Sequence, residues 1–252
     1  MRNKNYDLLF EPIRIGPHIA KNRFYQVPHC CGMGYDRPES QAAMRGIKAE
    51  GGWAVVNTEY CSIDPTSDDT PHSHCTLWDE TDISNLAKMA AAVHEHDALA
   101  GVELWHGGSA VSNLQSRMPA MGPTAQISWT GPFQSRVMDL QDIKNLRKMH
   151  VEAAKRAMQA GFDIVYVYAG HHYLLHQFLN PKTNNRSDAY GGSVENRIRL
   201  VREILTDVKE AIGHKCAVAT RFAVDSGHAS DHTTQEDEAR EMVALLADLP
   251  DL

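Results

Sequence analysis

The sequence alternates between short apolar segments rich in β-branched residues and longer segments with helical periodicity, and this alternation recurs five times. We predict that the apolar segments are strands, at Arg23–Pro28, Trp53–Tyr60, Leu99–Trp105, Phe162–Tyr168 and Cys216–Phe222. Strands that are apolar on both faces and separated by helices pair in parallel, through right-handed crossovers. The pattern therefore predicts an α/β fold, either a doubly wound sheet or a (β/α)8 TIM barrel.

A predicted helix follows each predicted strand. The apolar periodicity places these helices at about 41–50, 82–96, 140–160, 194–212 and 234–247. Gly161 and Gly213 stand where helices commonly end in glycine. Ser193 is the predicted N-cap of the fourth helix, although Asn196 occupies the position where a complete capping box has Glu or Gln.

Residues 9–23 favour the barrel. They are predicted to form a hairpin that turns at Gly16-Pro17, and such a hairpin suits the closure of one end of a barrel. A closed barrel needs more strand–helix units than the five predicted here. We therefore expect residues 1–252 to be the N-terminal part of a barrel domain, truncated before its sixth strand.

Composition argues against several classes of protein. With 25 Lys+Arg, 32 Asp+Glu and a net charge of −7, the chain has no basic run typical of nucleic-acid binding. No apolar stretch approaches the roughly 20 residues of a membrane span, and residues 1–10 do not resemble a secretory signal. Five cysteines, an odd number, favour reduced thiols and a cytoplasmic location.

Chemically active side chains collect where the predicted strands end, which is where parallel barrels carry their active sites. Arg221 and Glu103 stand among apolar neighbours, where a charged group needs a partner. Cys30 directly follows a strand and adjoins His29, which favours a reactive thiolate. Cys31 points the other way and is predicted to be structural.

The same strand ends carry aromatic side chains and further imidazoles. Tyr60 and Trp105, considered singly, are more typical of a core or a rim than of a ligand-binding wall. A run from His72 to Cys75 contains His-x-His but lies in a polar loop, so we predict no metal there. The sequence has no Cys-x-x-Cys pair, P-loop or G-x-G-x-x-G motif, so an iron–sulfur, zinc-ribbon or Rossmann site has no support within it.

Residues 161–199 carry the most specific motif. The pattern N-x-R-x-D-x-Y-G-G-S-x-x-N-R runs from Asn184 to Arg197 and resembles the fourth-strand signature of the old yellow enzyme family of FMN-dependent (β/α)8 barrels. The segment Glu103-Leu104-Trp105-His106 is similar to the family's Gln-Leu-Trp-His, with Glu in place of a flavin-binding Gln. The resemblance extends from Leu9 to Leu252.

Within that family the chain looks like the amine dehydrogenase branch, which comprises trimethylamine, dimethylamine and histamine dehydrogenases. Residues 22–30, 48–63 and 98–105 resemble that branch almost residue for residue. The fourth strand leads into Tyr168 and His171, the arrangement of the amine oxidisers, where ene-reducing relatives have a His-His or His-Asn pair. The resemblance implies that hydride transfer from a small alkylamine to FMN gives an iminium ion, which is hydrolysed to an aldehyde and a smaller amine.

The resemblance also implies roles for individual residues. Tyr168 and His171 would be catalytic, and no residue would bind a metal. FMN would bind through Pro28, His29, Cys30, Glu103 and Arg221, with a covalent bond from the Cys30 sulfur to flavin C6. The substrate would contact Tyr60, Trp105 and Tyr173.

Further parts are implied beyond Leu252, among them a catalytic Asp, a Trp, the phosphate site, a 4Fe-4S cluster and a nucleotide-binding region. The full-length protein is expected to be a homodimer that passes electrons to an acceptor protein, with no nucleic-acid or membrane partner. Two alternatives stay open, namely an NAD(P)H-dependent ene-reductase and an inactive fragment. His106 is closer to the ene-reductase pattern, and His172 replaces an expected small residue.

Overall fold

A computed structural model of the chain describes residues 4–72, 74–128, 131–223 and 236–249. Its strands are β1 (Ile13–Ile15), β2 (His18–Ala20), β3 (Tyr25–Gln26), β4 (Val55–Ser62), β5 (Cys75–Thr76), β6 (Leu99–Trp105), β7 (Met121–Gly122), β8 (Arg136–Val137), β9 (Ile164–Ala169) and β10 (Ala217–Phe222). Its helices are α1 (Pro38–Glu50), α2 (Ile83–His94), α3 (Leu140–Gln159), α4 (Leu174–Leu179), α5 (Val194–Ile212) and α6 (Glu236–Ala247).

The main sheet is parallel, as the sequence predicts. Its strand order is β10-β9-β6-β4-β3, and β5 pairs in parallel with the end of β4. Each long strand therefore lies beside the one that precedes it in the chain. A doubly wound sheet reverses its strand order at a switch point, whereas a barrel does not. The topology thus favours the barrel type over the doubly wound alternative.

The hydrophobic core lies between this sheet and the helices that cover its outer face. β6 and β9 contribute side chains that are completely buried, including Val102, Leu104, Val165 and Val167. α5 buries one apolar stripe against them, formed by Ile198, Val201, Ile204, Leu205, Val208 and Ile212. The apolar faces predicted from the sequence are therefore the buried faces of these strands and of α5.

The predicted hairpin is present as β1 and β2, which pair antiparallel. Gly16 at its turn has a φ of 55°, and a Cβ there would lie 2.8 Å from the Cβ of Ala217 at the start of β10. Only glycine combines this left-handed backbone with so close an approach. The hairpin therefore packs against the amino-terminal edge of the sheet, away from the strand ends that carry the chemistry.

Some boundaries differ from the sequence prediction. β3 has only two residues, where a strand at Arg23–Pro28 is predicted, and Pro28 has no N–H for a longer ladder. α1 begins at Pro38, earlier than predicted, because proline is favourable in the first turn of a helix. α4 and the short strands β5, β7 and β8 are additional. The predicted start of the last helix at Thr234 lies outside the described residues.

None of the helices in the described ranges is both long enough and apolar enough to cross a membrane.

Candidate active site

Aromatic side chains from three neighbouring strands form one buried cluster at the carboxyl edge of the sheet. Tyr60 lies near the end of β4, Trp105 is the last residue of β6, and Tyr168 lies near the end of β9. Each of these side chains is at least nine-tenths buried. The ring centroids of Tyr60 and Trp105 are 4.5 Å apart. Tyr173, from the loop after β9, lies 5.1 Å from Trp105 and 5.4 Å from Tyr168. The structure thus brings the three predicted substrate-wall residues together beside Tyr168.

Strand register explains why these residues meet. Tyr60 is opposite Glu103 in the β4–β6 ladder, and Tyr168 is opposite Arg221 in the β9–β10 ladder. The β4–β6 register shifts between Asn57 and Tyr60. A bulge of this kind redirects the side chains that follow it and is common beside active sites.

Glu103 and Arg221 form an ion pair across the sheet. The Arg221 Nη1 atom lies 3.4 Å from both carboxylate oxygens of Glu103, which is 1 % exposed. Burial raises the pKa of the Glu103 carboxyl to about 7, against the opposing effect of the Arg221 charge. The strand end therefore holds a carboxyl group that titrates close to neutral pH.

We expect Glu103→Gln to flatten the pH dependence of stability in the flavin-free chain. The folded chain holds a proton that the unfolded chain releases as the pH rises from about 4.5 to about 7, so this carboxyl weakens the fold across that window. As the pH rises from 5 to 8, the free energy of unfolding of the variant should increase by about 2 kcal/mol relative to that of the wild type, as measured by urea titration. Glu95→Gln, at an exposed site, is the control, and parallel curves for Glu103→Gln and wild type would refute the assignment.

Tyr168 and His171 form the hydrogen-bonded pair that the sequence predicts. The Tyr168 hydroxyl donates to Nδ1 of His171. Burial and the nearby Glu103 charge raise the pKa of Tyr168, whereas Arg221, whose guanidinium carbon lies 4.9 Å above the Tyr168 ring, lowers it. Burial, followed by the charges of Arg221 and His172, lowers the pKa of His171. His171 is therefore a neutral imidazole at pH 7, and its Nδ1 is available to accept the hydrogen bond from Tyr168.

The backbone after β9 is strained where it presents this imidazole. His171 and His172 have φ values of 52° and 60°, which L-residues with side chains adopt at a cost of about 1 kcal/mol or more each. The backbone N–H of His172 donates to Nδ1 of His176, and Gln177 donates to the His172 carbonyl. These contacts from α4 hold the strained turn, so α4, which the sequence analysis missed, positions His171.

The loop after β3 carries three predicted flavin-binding residues, and their side chains point in different directions. Pro28 is buried, and Cys30 reaches solvent with its thiol against the backbone N–H of Tyr60. The His29 ring instead faces α1, where its Nδ1 lies 2.9 Å from Nη1 of Arg45 and its Nε2 lies 3.2 Å from Nζ of Lys48. The side chain of His29 therefore does not join the aromatic cluster.

The thiol of Cys30 is protonated at neutral pH. Partial burial and the charge of Glu59 raise its pKa to about 12. This differs from the reactive thiolate expected from the sequence, because partial burial, together with the charges of Glu59 and Glu103, raises the pKa of the thiol, while the His29 ring points away. Cys31 lies against Gln41 and Arg45 of α1, on the side away from the cluster.

Glu59 is a functional residue to which the sequence analysis gave no role. Its carboxylate is completely buried and accepts hydrogen bonds at 2.7 to 3.2 Å from four backbone N–H groups, those of Cys31, Gly32, Gly34 and Cys75. Burial opposes its ionisation, but these bonds and His74 together lower its pKa to about 2. Glu59 therefore fixes the loop that carries Cys30. The sequence signal was a carboxylate inside an apolar strand.

Two further histidine-containing sites from the sequence analysis are His106 and the His72–Cys75 run. His106 is buried, accepts from the Gly108 N–H at 3.1 Å and contacts the Thr66 hydroxyl at 3.1 Å. Burial lowers its pKa to about 3, so it is neutral. In the His72–Cys75 run, Ser73 is outside the described residues. Among the residues that are described, no group of three or more His, Cys, Asp and Glu side chains is placed to hold a metal ion.

The strand order is that of a barrel-type parallel sheet, with the aromatic cluster at its carboxyl edge. The chain belongs to the NADH:flavin oxidoreductase / NADH oxidase family, whose model matches residues 8–252. Its amine dehydrogenase resemblance is confirmed by two relatives. Dimethylamine dehydrogenase from Hyphomicrobium sp. (strain x) is 39 % identical over 258 residues, covering 100 % of this chain and 35 % of that protein.

Solved structures agree. Histamine dehydrogenase from Rhizobium sp. 4-9 superposes with a TM-score of 0.93 and 46 % identity, over 98 % of this chain and 36 % of that one. The old yellow enzyme homologue from Zymomonas mobilis gives a TM-score of 0.81 and 28 % identity, over 95 % and 71 %. The chain thus has the curved parallel sheet of old yellow enzyme barrels, and it spans about a third of the length of its amine dehydrogenase relatives.

The residues at the carboxyl edge fit FMN. The pyrimidine edge of a flavin presents an N–H donor between two carbonyl acceptors. Glu103 offers acceptor oxygens and Arg221 offers N–H donors within 3.4 Å of them, beside the aromatic faces. The donor set of the site therefore matches that of the cofactor, with both charged groups already paired.

Proposed function

We propose that this chain forms the flavin-binding and substrate-binding part of an FMN-dependent amine dehydrogenase. The observation that carries the proposal is the Tyr168–His171 hydrogen bond beside the Glu103–Arg221 ion pair, at the carboxyl edge of a barrel-type sheet. The names of two relatives support it, since one is a dimethylamine dehydrogenase and the other a histamine dehydrogenase.

FMN, when bound, supplies the acceptor for a hydride from the carbon next to the amine nitrogen. Glu103 and Arg221 would bind its pyrimidine edge, and the Arg221 charge would favour the anionic reduced ring. The loop at Pro28, His29 and Cys30 would close over the other side, with the Cys30 sulfur as the covalent attachment point.

The aromatic cluster would bind the amine as a cation. An alkylammonium has a pKa close to the ~10.4 of lysine, so it is protonated at pH 7. Its contact with the faces of Tyr60, Trp105 and Tyr173 is worth roughly 0.5 to 2 kcal/mol, depending on desolvation. Burial among these rings also lowers the pKa of the ammonium, which prepares it to lose a proton.

Tyr168 and His171 would remove that proton. A nitrogen lone pair must be free before a hydride can leave the neighbouring carbon. The Tyr168 oxygen accepts the ammonium proton while its own proton passes along the existing hydrogen bond to Nδ1 of His171. Loss of a hydride from the carbon next to the freed nitrogen would then give an iminium ion, which water hydrolyses to an aldehyde and a smaller amine.

The remaining parts of the function follow from the same proposal. We propose that residues 1–252 form the N-terminal part of a barrel domain in a longer protein, since this chain spans about a third of its amine dehydrogenase relatives. A 4Fe-4S cluster and a nucleotide site in the rest of that protein, an electron-accepting partner, a homodimer and a cytoplasmic location belong to this proposal.

Anaerobic reduction of the full-length, flavin-loaded protein tests the function. Trimethylamine, dimethylamine and histamine are added separately, and we expect at least one to bleach the flavin absorbance. Cyclohexenone added to dithionite-reduced enzyme provides the contrasting measurement. If no amine bleaches the flavin while cyclohexenone reoxidises it, the ene-reductase alternative replaces the proposal.

A further inference from the structure

One buried glutamine contacts both of the loops that leave the aromatic cluster. Gln177 lies in α4 and is 2 % exposed. Its Oε1 atom accepts from the backbone N–H of Ser109 at 3.1 Å, in the loop after β6. Its Nε2 atom donates to the carbonyl of Gly107 at 3.3 Å in the same loop, and to the carbonyl of His172 in the turn after β9. A single amide group therefore bridges the two loops.

Each of these loops follows a residue of the candidate site. The loop after β6 leaves the aromatic cluster at Trp105, and His172 directly follows His171. A backbone hydrogen bond joins the same two segments, since the Leu174 N–H donates to the His106 carbonyl at 2.9 Å. The bridge thus connects the proposed substrate-binding wall to the proposed proton acceptor.

The loop after β6 packs closely on this glutamine. Gly108 lies between the two bonded residues of that loop and has a φ of 65°. A Cβ at Gly108 would lie 2.5 Å from the Gln177 Oε1 atom and 2.9 Å from the Leu174 Cα atom. Only glycine allows both the left-handed backbone and so close an approach. The loop therefore lies directly against α4, within reach of the Gln177 amide.

The hydrogen bonds of the bridge require an amide. An amide side chain has an acceptor oxygen on one side and N–H donors on the other. The Ser109 N–H uses the acceptor, and the carbonyls of Gly107 and His172 use the donors. A carboxylate of the same size has no donor, and a thioether is only a weak acceptor. Because the side chain is buried, removal of the amide leaves backbone groups that must shift to find new partners.

The turn after β9 depends on bonds of this kind. His171 and His172 both have positive φ values, which cost free energy in residues with side chains. α4 holds His172 at two points, because Gln177 donates to its carbonyl and Nδ1 of His176 accepts from its N–H at 3.1 Å. Loss of the Gln177 donor removes one of these two bonds. The strained backbone can then relax, and the His171 imidazole moves with it.

We infer that Gln177 is a positioning residue, which keeps the His171 imidazole at the distance and angle needed to take a proton through Tyr168. It acts through the His172 carbonyl, while its bonds to the loop after β6 fix the turn relative to Trp105. The inference deepens the proposed amine oxidation and rests on it. The amide of Gln177 then contributes to proton removal, and little to amine binding.

Flavin reduction by an amine tests this role in the full-length, flavin-loaded protein. The substrate is whichever of trimethylamine, dimethylamine and histamine reduces the wild type fastest. Gln177→Met keeps the volume and removes the amide, so it should lower the limiting rate of reduction at pH 7 by about tenfold or more, as a misplaced catalytic group does. KM should change little. The defect should shrink as the pH approaches about 10, where free amine enters already deprotonated.

Thr183→Val is the matched control. The Thr183 hydroxyl donates to the backbone carbonyl of Gln177 at 2.8 Å, so this variant loses a hydrogen bond to the same helix and leaves the Gln177 side chain unchanged. Its limiting rate should equal that of the wild type. If both variants slow the reduction equally, or if the Gln177→Met defect does not change with pH, Gln177 is only structural and the inference is overturned.

Hydrogen–deuterium exchange separates this inference from the proposed function, because it needs no amine. We expect Gln177→Met to raise deuterium uptake in peptides covering 106–111 and 170–176 together, and Thr183→Val to raise it in neither. If no amine reduces the wild-type flavin while both segments loosen together, the amine oxidation is refuted and the bridge stands. If an amine reduces the wild-type flavin while neither segment loosens, or only one does, the inference alone fails.

Gln177→Asn carries the same tests if the methionine variant does not fold. It keeps an amide but is one methylene shorter, so it cannot reach the Ser109 N–H and the His172 carbonyl at the same time. We expect the same pH-dependent rate defect and the same increase in exchange. Wild-type rates and wild-type exchange in Gln177→Asn would also overturn the inference.

Discussion

Replacing Tyr168 by Phe should slow flavin reduction by an amine about 100-fold at pH 7. The variant keeps the ring that packs against Tyr173 and Arg221 and loses only the hydroxyl that is bonded to His171. Removal of a positioned proton acceptor typically costs about 10² to 10⁴ in rate. Anaerobic stopped-flow measurement of the flavin absorbance in the full-length protein gives this rate directly.

The pH profile identifies the reason for the loss. If Tyr168 and His171 take the ammonium proton, the defect should shrink as the pH approaches the amine pKa of about 10, because free amine then enters already deprotonated. His171→Gln should show a similar defect, and the double variant should be little worse than either single variant, as for residues that act as a unit. Tyr190→Phe, which removes a hydroxyl bonded to Glu203 on the outer helices, is the control. A defect in Tyr168→Phe that is equal at pH 7 and pH 10 would contradict the proton-transfer role.

The sequence predicted the parts of this site that lie in regular strands. Glu103 and Arg221 were recognised because a charge within an apolar strand needs a partner, and the parallel register then places them at one edge. Tyr168 and Tyr60 follow from the same alternation, since strand ends meet in a parallel sheet. Periodicity alone did not distinguish a barrel from a doubly wound sheet, whereas the strand order of the structure favours the barrel type.

The loop contacts could not be predicted in the same way. The direction of the His29 ring depends on where α1 begins, and the structure turns it towards Arg45 and Lys48. The Asp69–His74 contact joins residues of an irregular loop whose path is set by Asp68 and Asn113. Such contacts have no sequence period, because side chain to backbone bonds, and not a repeating backbone geometry, determine them.

Glu59 leads to the second large effect, which is on stability. We expect Glu59→Gln to lower the free energy of unfolding by about 3 kcal/mol at pH 7. The amide keeps one acceptor oxygen, but its NH₂ group would face backbone N–H donors that the carboxylate now satisfies, and unsatisfied buried donors cost about 1 to 3 kcal/mol each. Urea titration of the flavin-free chain measures the difference.

The pH dependence of this effect has a definite sign. The folded-state pKa of Glu59, about 2, is below its unfolded value of about 4.5, so the stabilisation is complete above about pH 4.5 and is lost as the pH falls through about 2. The gap between wild type and Glu59→Gln should therefore narrow in acid. Glu103→Gln is the matched comparison, since it makes the same change at another buried strand carboxylate whose pKa is raised, and it should not destabilise the chain at pH 7. Equal losses in the two variants would show that burial of a carboxylate alone matters, and that the four N–H donors around Glu59 do not hold the Cys30 loop.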